Sequence, residues 1–238
     1  MVDTTQPYDS ALMRMSDFHR RHGEDRPGGD EVDAGTTRLS QLNPSLMQDL
    51  MRFGAGHRPG DALETMEVLA ASLRHDRALQ VFVQLGYRVM ALVVRPRERR
   101  LACALSQRQF LDLRLPELRV LRVEPASDTA DEAEAALHVW PLGPLLWELA
   151  LRGSRDTLLP EIAGVAAYRV APGADLSMLD LTGSLGTAVS RLRQQMSPLR
   201  EIARWPGFDK SRAVRLLNGL YLQAALMVSR THPGAIEG

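Results

Sequence analysis

Residues 78–105 read ALQVFVQLGYRVMALVVRPRERRLACAL, and the class of fold to expect turns on this stretch. Three runs rich in Val, Leu, Phe and Tyr, at 78–85, 87–94 and 100–105, are interrupted by a glycine turn and by an arginine-rich block. Short β-branched and aromatic runs bounded by turn residues predict strands, here an antiparallel meander. In the first run Leu79, Val81 and Val83 alternate with Gln80, Phe82 and Gln84, so one face should meet a core while the other stays partly wet. LRVLRVEP at 118–125 and AAYRVAP at 166–172 add two more strands.

Helices flank this sheet. In LNPSLMQDLMRF, 42–53, Asn43 can cap, Pro44 suits the first helical position, and Leu46, Met47, Leu50 and Met51 form one stripe. A second helix over 60–76 opens with Asp61 and Glu64 at capping-box spacing and turns Leu63, Met66, Leu69, Ala70 and Leu73 to one side. WPLGPLLWELALRG, 140–153, predicts a helix from near Pro144 that Gly153 stops, with Trp140 and Trp147 as core anchors. Between strand and helix, SDTADEAEAA at 127–136 reads as a polar, acidic loop.

Residues 1–36 show no apolar period, and residues 1–34 hold eight Asp/Glu against four Arg. They predict a disordered acidic tail, with a transient amphipathic turn in SALMRMSDF, 10–18, as the weaker reading. The expected class is therefore α+β, with a helix pair and small antiparallel sheet in a module over 37–175. A linker, APGADLSMLDL, then leads into a C-terminal domain over 176–238.

That domain reads as three helices and a strand. SLGTAVSRLRQQM, 184–196, forms the first helix. Ser197 and Pro198 open a short second helix carrying Leu199, Ile202 and Ala203, which Pro206 and Gly207 break. Asp209 caps a third from Lys210, with Ala213, Leu216, Leu217, Leu220, Tyr221 and Ala224 inward, and Lys210, Arg212, Arg215 and Asn218 outward. ALMVSR, 225–230, follows as a strand. Helix, helix, turn, helix, strand is the order of a winged-helix domain.

Residues 184–238 hold eight basic groups against three acidic ones, in a chain of zero net charge. If the third helix enters a DNA groove, Arg212 and Arg215 can pair with guanine edges, Asn218 with adenine, and Arg204 and Lys210 with phosphates. Opposing this, Asp209 sits where a phosphate would approach the helix, and the residues beyond 230 are too few for a two-stranded wing. Lys210 is the one lysine among 29 basic residues, so an arginine-rich face also reflects composition. Protein contact is the favoured role for this surface, DNA contact the alternative.

The helix pair leading into a small sheet, followed by LREIARWPGFDKSRAVRLLNGLYLQAALM, resembles bacterial signalling proteins built from a PATAN-type α+β module joined to winged-helix-like segments. The resemblance covers about 50 residues at the C-terminal end, and over 37–175 it rests on the order of elements. It implies a non-enzymatic adaptor or regulator of signal transduction and supplies no site residues.

No phosphate-binding, dinucleotide-binding, nucleophile-elbow or zincin motif occurs. His19 and His22 stand three apart with no cysteine or further histidine nearby, which does not make a metal site. The one cysteine, Cys103, lies in an apolar run and reads as a buried structural thiol. Arg95, Arg97, Arg99 and Arg100 in RPRERR could hold an anionic ligand such as a cyclic dinucleotide or phosphopeptide, although a hairpin of solvated charges accounts for them as well. With no apolar stretch long enough to span a bilayer and no secretion signal, the expectation is a cytoplasmic, non-enzymatic protein without metal, cofactor or membrane partner. Its oligomeric state is left open.

Overall fold

The computed structural model describes residues 12–23, 45–46, 48, 65–126 and 136–231. The helix expected over 42–53 falls outside these residues except for Ser45, Leu46 and Gln48, and the pairing of Asp61 with Glu64 and the acidic loop over 127–135 lie outside them too. The chain is mixed α and β with antiparallel sheets, divided into two compact units, Met1–Leu142 and Gly143–Gly238.

In the first unit, β2 (Leu79–Leu85), β3 (Arg88–Arg95) and β4 (Arg100–Cys103) form the meander that their alternating apolar residues predict. With β5 (Arg119–Pro125) and β6 (His138–Pro141) they make a sheet of order β5-β2-β3-β4-β6. Every neighbouring pair is antiparallel. Leu79, Val81 and Val83 are fully buried on one face. Ahead of β2, the helix over Thr65–His75 is buried continuously from Thr65 to Ser72.

The other face is less wet than Gln80, Phe82 and Gln84 suggest, and the reason lies in the N-terminal segment. A short strand β1 (Met13–Arg14) pairs with Val89 and Arg88 of β3, and helix α1 (Met15–Gly23) follows it. Phe18 packs on Phe82, ring centroids 5.3 Å apart, in a cluster with Val89, Met13, Met15, Ala91 and Leu121. Within the tail expected over 1–36, residues 12–23 thus carry a strand and a helix, and the rest of it lies outside the described residues. Met13, Met15 and Phe18 have nothing apolar of their own to bury against, and the meander's second face supplies it.

In helix order α2 is Thr65–His75, α3 is Gln107–Leu111 and α4 is Leu142–Arg152. Ser106 and Gln109 cap α3 with a reciprocal capping box, which lets a five-residue helix terminate its own backbone donors.

The second unit has a three-stranded antiparallel sheet of order β8-β7-β9, comprising β7 (Ala167–Val170), β8 (Ser197–Pro198) and β9 (Leu226–Ser229). Its helices are α5 (Gly183–Gln194), α6 (Leu199–Ile202) and α7 (Lys210–Leu222), together with α4 from Gly143 onward. The division at 142–143 falls ahead of the boundary expected near 175. Strand β7, read as part of the first module, is the central strand of the second sheet and pairs there with β8 and β9.

Candidate functional site: the basic, aromatic surface of the second unit

Helix α7 starts where its sequence requires. Asp209 Oδ1 accepts the backbone N–H of Arg212 at 2.7 Å, satisfying one of the free donors of the first turn. Beyond that turn the helix is buried almost all round: Ala213, Val214, Leu216, Leu217, Asn218, Gly219, Leu220 and Leu222 are inside.

Two of the four residues expected to face outward on this helix therefore do not. Asn218 is 0% exposed; its Oδ1 accepts Leu159 N–H at 2.9 Å and its Nδ2 donates to Thr157 O at 2.9 Å. Arg215 is half-buried and donates from Nη1 to Leu151 O at 2.6 Å, beside the end of α4, where an arginine offsets the negative helix end. The cause is a second layer. Trp147 of α4 lies so close to Gly219 that a Cβ there would stand 2.8 Å from its ring. Thus α7 is sandwiched, and an amphipathic pattern read from one helix cannot show the layer on its far side.

Arg204, Lys210 and Arg212 are exposed. They stand at the α6–α7 turn, and Arg212 places its guanidinium 5.4 Å from the Phe208 ring centre. The turn borders a groove of about 180 Å³. From α5, the groove takes Ser184, Thr187, Ala188 and Arg191, an i, i+3, i+4, i+7 stripe, and from the turn it takes Trp205, Pro206 and Phe208. Gly207 adopts φ +77° and approaches α5 so closely that a Cβ would stand 3.1 Å from Ser184 Cβ, a position suited to glycine on both counts.

The groove's charge is held in place by its polar neighbours. Arg191 lies over Trp205, 4.6 Å from the ring centre, and Nη2 is 3.5 Å from Glu201 Oε1. That same oxygen accepts Ser197 Oγ at 3.2 Å and Gln195 Nε2 at 3.3 Å. Trp205 is 6% exposed, and its indole N–H has no hydrogen-bond acceptor among the described residues. The helical pattern of 184–196 and the break at Pro206-Gly207 do not by themselves single out Arg191, Trp205 or Phe208. The available signal was the stripe in α5 combined with the aromatic pair flanking Pro206-Gly207.

In the first unit the four arginines of the β3–β4 turn do not act as a set. Arg95 is buried and Arg99 half-buried with φ +53°, and burial holds the Arg99 guanidinium below its usual pKa. Arg97 is exposed but donates to Asp76 at 2.7 Å, and Arg100 is exposed. Cys103 is buried and donates from Sγ to Leu105 O at 3.1 Å; burial pushes the thiol up to about 11. Among the described residues no three His, Cys, Asp or Glu side chains gather as a metal site, and no helix is long and apolar enough to cross a membrane. No protein family, curated protein or solved structure matches the chain.

Proposed function

We propose that the chain is a non-enzymatic regulatory or adaptor protein of bacterial signal transduction, working in the cytoplasm through protein–protein contacts made by the second unit. The observation that carries this reading is the division of labour on α7. Asn218 and Arg215, two of the three residues suited to reading base edges, are spent on Leu159, Thr157 and Leu151. Arg204, Lys210 and Arg212 remain outside, next to an aromatic groove. Partner surfaces combine such features, an apolar centre lined by aromatics with arginine at its margin.

In this reading the second unit is winged-helix-like, with β8 entering α6 and α7 and β9 leaving them. The strand beside β9 is β7, which arrives from upstream. Strand β9 is thus not the first arm of a hairpin wing among the described residues. The same three exposed cations support the alternative, a winged-helix DNA-binding regulator, with Arg204 and Lys210 on phosphates and Arg212 left as the one base-edge reader.

Fluorescence anisotropy of a labelled duplex titrated with the full chain at low and moderate salt separates the two. The adaptor reading expects no binding at low salt. Binding that weakens steeply as salt rises would overturn it in favour of DNA. In the native host, quantitative cross-linking should give a discrete partner band that is lost when Arg204, Lys210 and Arg212 are all changed to Glu.

A further inference from the structure

The groove between α5 and the α6–α7 turn has features that a packing defect would lack, and together they specify an occupant. At about 180 Å³ it is smaller than the roughly 300–1,000 Å³ usual for sites that enclose a small molecule, but it suits one apolar side chain. Ala188, Trp205, Pro206 and Phe208 supply apolar lining, the setting in which an anchor residue of a partner is buried. Trp205 lines the groove while staying only 6% exposed.

Charge narrows the occupant further. Arg191, Arg204, Lys210 and Arg212 lie in or beside the groove, against Glu201 and Asp209. Both acids are occupied, Glu201 with Arg191, Ser197 and Gln195 and Asp209 with the first turn of α7. Four cations against two acids leave the rim basic, and Arg191 is held over Trp205 with its side chain still 46% exposed.

We propose that this groove is a peptide-docking site that accepts one apolar side chain, Leu- or Phe-sized, from a partner protein segment carrying Asp or Glu within two positions of that anchor. The proposal rests on the adaptor reading and specifies the partner's chemistry. The anchor enters between Ala188 and the Trp205-Pro206-Phe208 edge, and the carboxylate pairs with Arg191 at the mouth.

The test selects a displayed library of random 12-residue peptides on the full chain and counter-selects on a Thr187→Trp variant. Thr187 is exposed at the groove's edge, so the indole fills the mouth without entering the core. The peptides lost in the counter-selection should share an apolar residue next to Asp or Glu. A synthetic consensus peptide should shift the indole N–H resonance of Trp205, assigned with Trp205→Phe, and should bind about tenfold or more weaker when its anchor is changed to Ala. Arg191→Gln, which leaves the apolar lining in place, should keep the preference for the anchor and lose the preference for the acid.

The proposal is overturned if no peptide distinguishes the chain from Thr187→Trp, if the distinguishing peptides lack the paired apolar and acidic residues, or if the Trp205 resonance does not respond. Peptides that bind equally to chain and Thr187→Trp but are lost on Arg204, Lys210 and Arg212 substitution would sink the groove while leaving the adaptor reading standing. Salt-dependent duplex binding with no selected peptides would sink both.

Discussion

Asn218 shows how one amide can change roles between sequence and structure. On a helical wheel it stays on the side of Lys210 and Arg215, about 60° from Arg215, so its burial comes from the layer that covers this side of the helix. There it faces the segment holding Thr157 and Leu159. Asn218→Leu should lower unfolding stability by about 1–3 kcal/mol in urea titration, because it strands the buried Leu159 N–H, whereas Thr157 O keeps its bond from Arg155 Nε. A surface Asn would show no such loss. Cys103 supports a second prediction, with a sign set by its raised pKa. The thiol is favoured over the thiolate in the folded chain, so its stabilisation is complete below the unfolded value near 9 and disappears as pH rises through about 11. Over that window the contribution lost is about 3 kcal/mol, and in native buffer near pH 8 iodoacetamide should label Cys103 only as fast as the chain unfolds.

Helix α7 packs closely at Gly219 and is capped at Asp209. Replacing Gly219 by Ala normally favours a helix by about 1 kcal/mol. Here the added Cβ would stand 2.8–2.9 Å from the Trp147 ring, and overpacking of that kind costs about 1–3 kcal/mol. Gly219→Ala should therefore lower the thermal midpoint despite its better propensity, and Gly219→Ala combined with Trp147→Leu should be less destabilised than the sum of the two. At the other end, Asp209→Ala removes the bond to Arg212 N–H and should cost about 1 kcal/mol, read as a shift of the urea midpoint with unchanged slope. Strands behave differently. Their bounds at 79–85, 88–95 and 119–125 lie within a residue or two of the apolar runs that predict them, since alternation and turn residues are local features.

For the whole chain, the division at Leu142 and Gly143 makes a prediction about fragments. A piece spanning 143–238 keeps β7 with β8 and β9, Trp147 with Gly219, and Asn218 with its two partners. It should give a cooperative thermal transition and dispersed amide resonances. A piece spanning 176–238 loses the central strand of its sheet and should give neither. If 176–238 folds as well as 143–238, β7 and α4 are dispensable and the division is misplaced. Removing residues 12–23 should expose Phe82 and Val89, seen as increased binding of an apolar dye.

Local patterns were enough to identify the strand-rich middle, the cap at Asp209, the turn at Pro206-Gly207 and the buried thiol, because each depends on residues within a few positions of one another. Three other features depend on what lies across space: the ordering of residues 12–23 on the sheet's second face, the membership of β7 in the second sheet, and the groove beside Trp205. Strand pairing and layer packing join segments tens of residues apart, and a single helix or strand shows which face is apolar without showing what covers it. Asn218 and Arg215 were legible as polar side chains on α7; the α4 layer and the 157–159 segment decide that they serve the interior.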